Sequence, residues 1–112
     1  MSEIIIPLFI LSYVSLIMVA IGIVQYKSKK PVGFYTGETP PKAEQLTDVS
    51  AWNRMHGLMW IGYGAAIIAS FLLGVLLQNQ MLSVCLSFAV ILGGIPCLIL
   101  IHRHLTKTYY KP

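Results

Sequence analysis

Apolar residues fill three long blocks of this chain, and polar residues are confined to the gaps between them and to the end. The first block covers residues 4–24. At a rise of about 1.5 Å per residue, about 20 apolar residues cross the ~30 Å hydrocarbon layer of a membrane. Glu3 precedes this block and Lys27, Lys29 and Lys30 follow it. A cleaved signal peptide has the opposite order, with a basic start and a shorter apolar run. The block therefore reads as a retained helix, with Ser12, Ser15 and Gly22 marking the side that faces other helices. Pro31, Gly33, Gly37, Pro40 and Pro41 then predict a turn-rich loop, with a short helical turn over residues 42–46. Asp48 stands as an N-cap before an unbroken run from Val49. Gln78, Asn79 and Gln80 make a short polar link into a third apolar block, in which Gly93, Gly94 and Pro96 predict a kink.

The pattern predicts an all-α integral membrane protein and a single membrane domain over residues 1–112. Helix 1 covers about 4–26, a loop 27–48, helix 2 about 49–78 and helix 3 about 81–104. Charge then supplies an orientation. All eight Lys and Arg residues sit beside the same ends of the apolar blocks. By the positive-inside rule this predicts an N-out/C-in arrangement with a cytoplasmic loop between helices 1 and 2. Trp52 and Trp60 are placed at headgroup level, as in an aromatic belt, and Tyr109 and Tyr110 near the interface.

Small residues predict how the helices pack. Gly62, Ala66, Ser70 and Gly74 recur every four residues on helix 2, a ridge that lets another helix approach closely in lipid. Ser83, Ser87, Gly94 and Cys97 fall on one face of helix 3 to match it. The ridge serves equally well within one chain or between copies.

Composition removes several function classes. The chain is 56% hydrophobic and 11% charged, whereas soluble domains carry about 25% charged residues. The formal charge of +4 is spread at span ends, where anionic headgroups meet it, and does not point to nucleic acid. Cys85 and Cys97 lie on one helix, too far apart for a disulfide, and read as small apolar fillers. Helix 2 is read as entering the membrane near Leu58 and helix 3 as leaving it near Ile101, so no Asp, Glu, Lys or Arg lies within a membrane-embedded stretch, which argues against an ion-coupled path. His102 and His104 are two apart and fall on different helix faces, unlike helical ligand pairs about four apart. No metal, cofactor or catalytic residue is expected, and the pattern does not suggest an enzyme.

The remaining candidate surface is Gly33, Phe34, Tyr35 and Thr36 in the loop, with Trp52, Asn53, Arg54 and His56 at the start of helix 2. Trp52 and His56 share a helix face, and Arg54 points elsewhere. In these residues the chain resembles the SdpI/YfhL family of small three-span bacterial membrane proteins. That family carries a Gly-aromatic-Arg-Thr turn in its cytoplasmic loop, matched by Gly33, Phe34 and Thr36, with Tyr35 in the place of arginine. A Trp-x-x-x-His element, matched by Trp52 and His56, then opens the next helix. The resemblance spans residues 30–63.

It implies immunity to a membrane-active peptide toxin in the bacterial cytoplasmic membrane, with signalling through the cytoplasmic loop. The implied partners are the lipid bilayer, a peptide toxin or another membrane protein, and further copies of the chain. The alternatives are an accessory or regulatory subunit of a larger membrane complex and a homo-oligomeric small transporter.

Overall fold

A computed structural model describes residues 2–34 and 39–111. It contains three long helices, α1 Ser2–Lys27, α2 Val49–Leu76 and α3 Gln80–Tyr109. All three are long and apolar enough to cross a membrane. Together they make an elongated bundle with extents of 53 × 21 × 20 Å. The central segment adds one 3-10 turn, Ala43–Gln45, where a helical turn over residues 42–46 is expected.

Local chemistry sets the helix ends. Asp48 adopts an extended conformation and its side chain accepts from Ala51 N at 3.0 Å. That satisfies one of the donors left free at a helix start. Asn79 caps α3 in the same way through Leu82 N. Between them Gln78 takes a positive φ of 55°, the left-handed conformation that lets so short a link reverse the chain. Helix α3 continues through Pro96 to Tyr109, five residues beyond the expected end at 104. The Tyr63 hydroxyl donates to Ile91 O at 2.7 Å, bonding α2 to α3 in the turn before Pro96.

Helix α2 is the centre, with α1 and α3 each packed against it. The α1–α2 seam is built on glycines seven residues apart. Gly57 meets Gly22, where an added Cβ would stand 2.5 Å from the opposing carbonyl. Gly64 meets Ser15, where it would stand 2.7 Å from the Ser15 carbonyl. In lipid such close approach supplies dispersion contact that water exclusion does not.

The expected ridge on α2 divides accordingly. Gly74 lies against Ser83 of α3, and Ser83 and Ser87 are both buried. Gly94 faces the Tyr63 ring. Ser70 is half-buried and bonds its own helix at Ile67 O. Gly62 has no atom within 4 Å of an added Cβ, and Ala66 is exposed. Among the described residues those two pack against no other helix of the chain. A strict four-residue repeat drifts around a helix of 3.6 residues per turn, whereas a spacing of seven stays on one face.

Candidate functional site

The bundle has one elaborated end, where α1 finishes, α2 begins and α3 finishes. Residues 28–34 leave α1 as irregular chain, bent at Lys29, Lys30 and Phe34, and cross this end. Chain outside helix and sheet must find partners for its backbone groups elsewhere. Here side chains from α1 and α2 provide them. Asn53 Nδ2 donates to Ser28 O at 3.0 Å and to Lys30 O at 2.9 Å, while its Oδ1 accepts from Val32 N at 3.1 Å. Trp52 Nε1 donates to Val32 O at 2.8 Å, and Trp60 Nε1 donates to Phe34 O at 2.9 Å. Gln25 Nε2 adds a bond to Gly33 O at 3.2 Å. Five carbonyls in seven residues are thus held by three residues of α2 and one of α1.

Spacing explains why one helix can do this. Trp52, His56 and Trp60 recur at four residues and share a face, and Asn53 stands beside the first of them. All four are buried, Asn53 and Trp52 at 1% exposure and His56 at 0%. An amide so enclosed is costly unless every polar atom is paired. The Asn53 amide is paired at both ends, and its three partners fix which end is oxygen. The two tryptophans are corrected from the expected belt. Their rings turn inward, and their N–H groups bind the loop rather than headgroups.

Phe34 is the plug of this end. It packs with Met18 and Ile21 of α1 and Tyr63 of α2 against the buried group Met59, Trp60 and Leu98. Its ring stacks on His102 of α3 with centroids 4.5 Å apart and planes 14° from parallel. Phe34 therefore fills the wedge between α1 and α3. At the opposite end the same wedge is open, a groove of about 290 Å³ lined by Ile6, Ile10 and Leu11 of α1 and Val84, Phe88 and Ile91 of α3.

Two histidines join α2 to α3 beneath the plug. His56 Nδ1 lies 2.9 Å from Trp52 O, and His56 Nε2 lies 2.9 Å from His102 Nδ1. A carbonyl only accepts, so His56 Nδ1 carries the proton. With His56 neutral its Nε2 is an acceptor, and His102 Nδ1 must donate to it. The chain of bonds thus fixes the proton on His56 Nδ1, and with both rings neutral it fixes a tautomer on each.

The end of the chain closes the site from the other side. Thr47 N donates to Tyr109 O and Lys111 N to Gln45 O, both at 2.7 Å. Around this antiparallel bridge between Leu46 and Tyr110, Leu46, Trp52 and Leu105 form a second buried group. Tyr110 meets the Trp52 ring edge-on at 5.5 Å, so it lies in this packing rather than only at an interface.

Of the expected surface, Gly33, Phe34, Trp52, Asn53 and His56 come together. Arg54 is exposed on another side of α2. Tyr35 and Thr36 lie outside the described residues. Sequence reasoning did not place Gln25, Trp60, His102, Leu46 or Tyr110 in the group. The repeat of Trp52, His56 and Trp60 at four residues was the signal for Trp60.

Family models, curated proteins and solved structures yield no match to the chain. The chemistry of the site must be read from its own geometry. Among the described residues no group of three or more His, Cys, Asp or Glu side chains is arranged to hold a metal ion. The histidine pair is occupied with orienting Trp52, Phe34 and α3. What the arrangement does is hold a loop and a chain end in one fixed conformation at the basic end of an apolar bundle.

Proposed function

We propose that this chain is a non-catalytic, multi-pass protein of a bacterial cytoplasmic membrane that protects its host against a membrane-active peptide toxin. The loop end faces the cytoplasm and is its recognition and signalling surface. The observation that carries this reading is the joining of Gly33 and Phe34 to the buried Trp52, Asn53 and His56 in one cluster. These are residues in which the chain resembles the toxin-immunity family. Orientation rests on charge: every Lys and Arg belongs to the loop end, a distribution that supports a cytoplasmic position for it.

The test is survival. A sensitive bacterium expressing the chain is challenged with membrane-active peptides secreted by related strains, beside a strain expressing Trp52→Ala with His56→Ala. The expected outcome is protection by the native chain and its loss in the double variant at equal membrane level. Absence of protection against every peptide overturns the proposal. A second reading, an accessory subunit of a larger membrane complex, is favoured by one observation. Gly62, Ala65, Ala66 and Ala69 are all exposed on the central helix, a face on which a partner helix can approach closely.

A further inference from the structure

Along the α1–α2 seam at the loop end, two hollows adjoin. The first, about 260 Å³, has Arg54, Tyr26 and Tyr109 at its rim and Met55 and Leu58 in its wall. The second, about 270 Å³, is lined by Tyr26, Lys27 and Leu58 and continues to Ile23 and Ile61. Tyr26 and Leu58 belong to both, so the two make one groove with a polar head and an apolar tail. The seam explains its position. Gly57 has no side chain where Tyr26 crosses it, with an added Cβ only 2.8 Å from Tyr26 Cβ. Tyr26 and Lys27 are thereby brought beside Arg54 and Leu58.

Two cations at the head are unspent. Neither Arg54 nor Lys27 has a side-chain hydrogen bond or ion pair among the described residues. Arg54 also stands near the N-terminus of α2, the helix end where a cation gains nothing from the backbone dipole. Arg54 with Tyr26 and Tyr109 on the first hollow, and Lys27 on the hollow that adjoins it through Tyr26, are donors that suit a phosphodiester, which only accepts. An apolar wall running from that hollow toward the middle of the helices suits an acyl chain.

We propose that this groove is a binding site for an anionic phospholipid. The phosphodiester lies between Arg54 and Lys27 with the Tyr26 and Tyr109 hydroxyls, and one acyl chain lies along Leu58, Ile61 and Ile23. The site is separate from the loop cluster and does not depend on the toxin reading.

The experiment is native mass spectrometry of the full chain in a mild detergent, titrated with dioleoyl phosphatidylglycerol, dioleoyl phosphatidylcholine or inorganic phosphate. Native protein should bind one phosphatidylglycerol about tenfold more tightly than phosphatidylcholine, a difference of about 1.4 kcal/mol, because the two lipids share the phosphodiester but the choline ammonium is repelled by the Arg54 and Lys27 cations. Arg54→Gln and Lys27→Gln should each remove most of that preference, and Lys111→Gln, which deletes the same charge outside the groove, should keep it. Inorganic phosphate, lacking the chain, should not displace the lipid. Both groove cations are exposed, and an unchanged fluorescence spectrum of buried Trp52 and Trp60 shows that each variant is folded. Equal loss in Lys111→Gln means a diffuse charge effect and overturns the site. So does equal binding of the two lipids, or displacement by inorganic phosphate at millimolar concentration.

Discussion

The two ends of the bundle solve the same packing problem in different ways. At the loop end the wedge between α1 and α3 is filled by Phe34, and the chain around it is fixed by directional hydrogen bonds. At the far end that wedge is an open apolar groove, and α2 and α3 are joined by the short turn around Gln78 with Gly74 against Ser83. Within lipid, apolar contact between helices competes with equally apolar lipid tails. The far end therefore needs only small residues at the crossing. The loop end holds irregular backbone and must satisfy each polar group individually. Specific side chains are concentrated where the backbone leaves the helix, and that is also where a defined surface can be presented to a partner.

The largest effect should come from breaking the seam on which both ends depend. Gly57→Leu places a side chain against the Gly22 carbonyl and Tyr26 backbone, neither of which can yield without moving α1. Overpacking of this kind costs about 3 kcal/mol or more, and folded protein should be scarce in detergent, as a fluorescence-detected unfolding curve would show. A variant as stable as the native chain would mean that α1 does not rest on α2 at this point.

Asn53→Ala comes next and separates the ends. It removes three hydrogen bonds and leaves the Ser28 carbonyl and the Val32 amide seeking water, while Lys30 O keeps the Ser28 hydroxyl. At about 1 kcal/mol for each bond the loss is about 3 kcal/mol. Amide exchange should rise across residues 28–34 and stay unchanged around Gly74 and Ser83. Equal acceleration at both ends would show that the loop end is not an independent unit of structure.

How much of this was legible in the chain follows the same division. The spans, the Asp48 cap and the short turn were readable because apolar length and capping side chains act locally. Trp52, Asn53 and His56 were readable as a group because helix spacing places them together. Their partners were not. Phe34 reaches Trp60 and His102 only because the chain folds back over the end of the bundle, and Tyr110 reaches Trp52 only because α3 runs past the expected end at 104. Those are long-range juxtapositions that no local pattern encodes. The small-residue ridge divides between faces for a geometric reason. Gly57 and Gly64 were hidden in a Trp- and Met-rich stretch, while the more visible four-residue repeat from Gly62 turned away from α1.

A finer division is made by Trp60→Phe. The substitution removes the N–H bond to Phe34 O, at about 1 kcal/mol, and the five-membered part of a buried indole, at about 1 kcal/mol more. The expected result is a small drop in unfolding midpoint with faster exchange near Phe34. A drop as large as that of Asn53→Ala would mean that the Trp60 ring, rather than its hydrogen bond, positions the plug.

The smallest effect is expected at Gly62→Leu, and there a null result carries information. An added side chain at Gly62 meets nothing within 4 Å, and substitutions at such open positions stay within about 0.5 kcal/mol. Leucine is also the better helix former by nearly 1 kcal/mol, so the isolated chain should unfold at the native midpoint or slightly above it. The contrast with Gly57→Leu, five residues earlier on the same helix, is then a contrast between a face that is already covered and one that is not. If Gly62→Leu is stable in detergent yet loses a co-purifying partner or its protective effect in cells, the outward small-residue face is in use between chains. If it is stable and fully functional, that face meets only lipid, and the working surface of the protein is confined to the loop end.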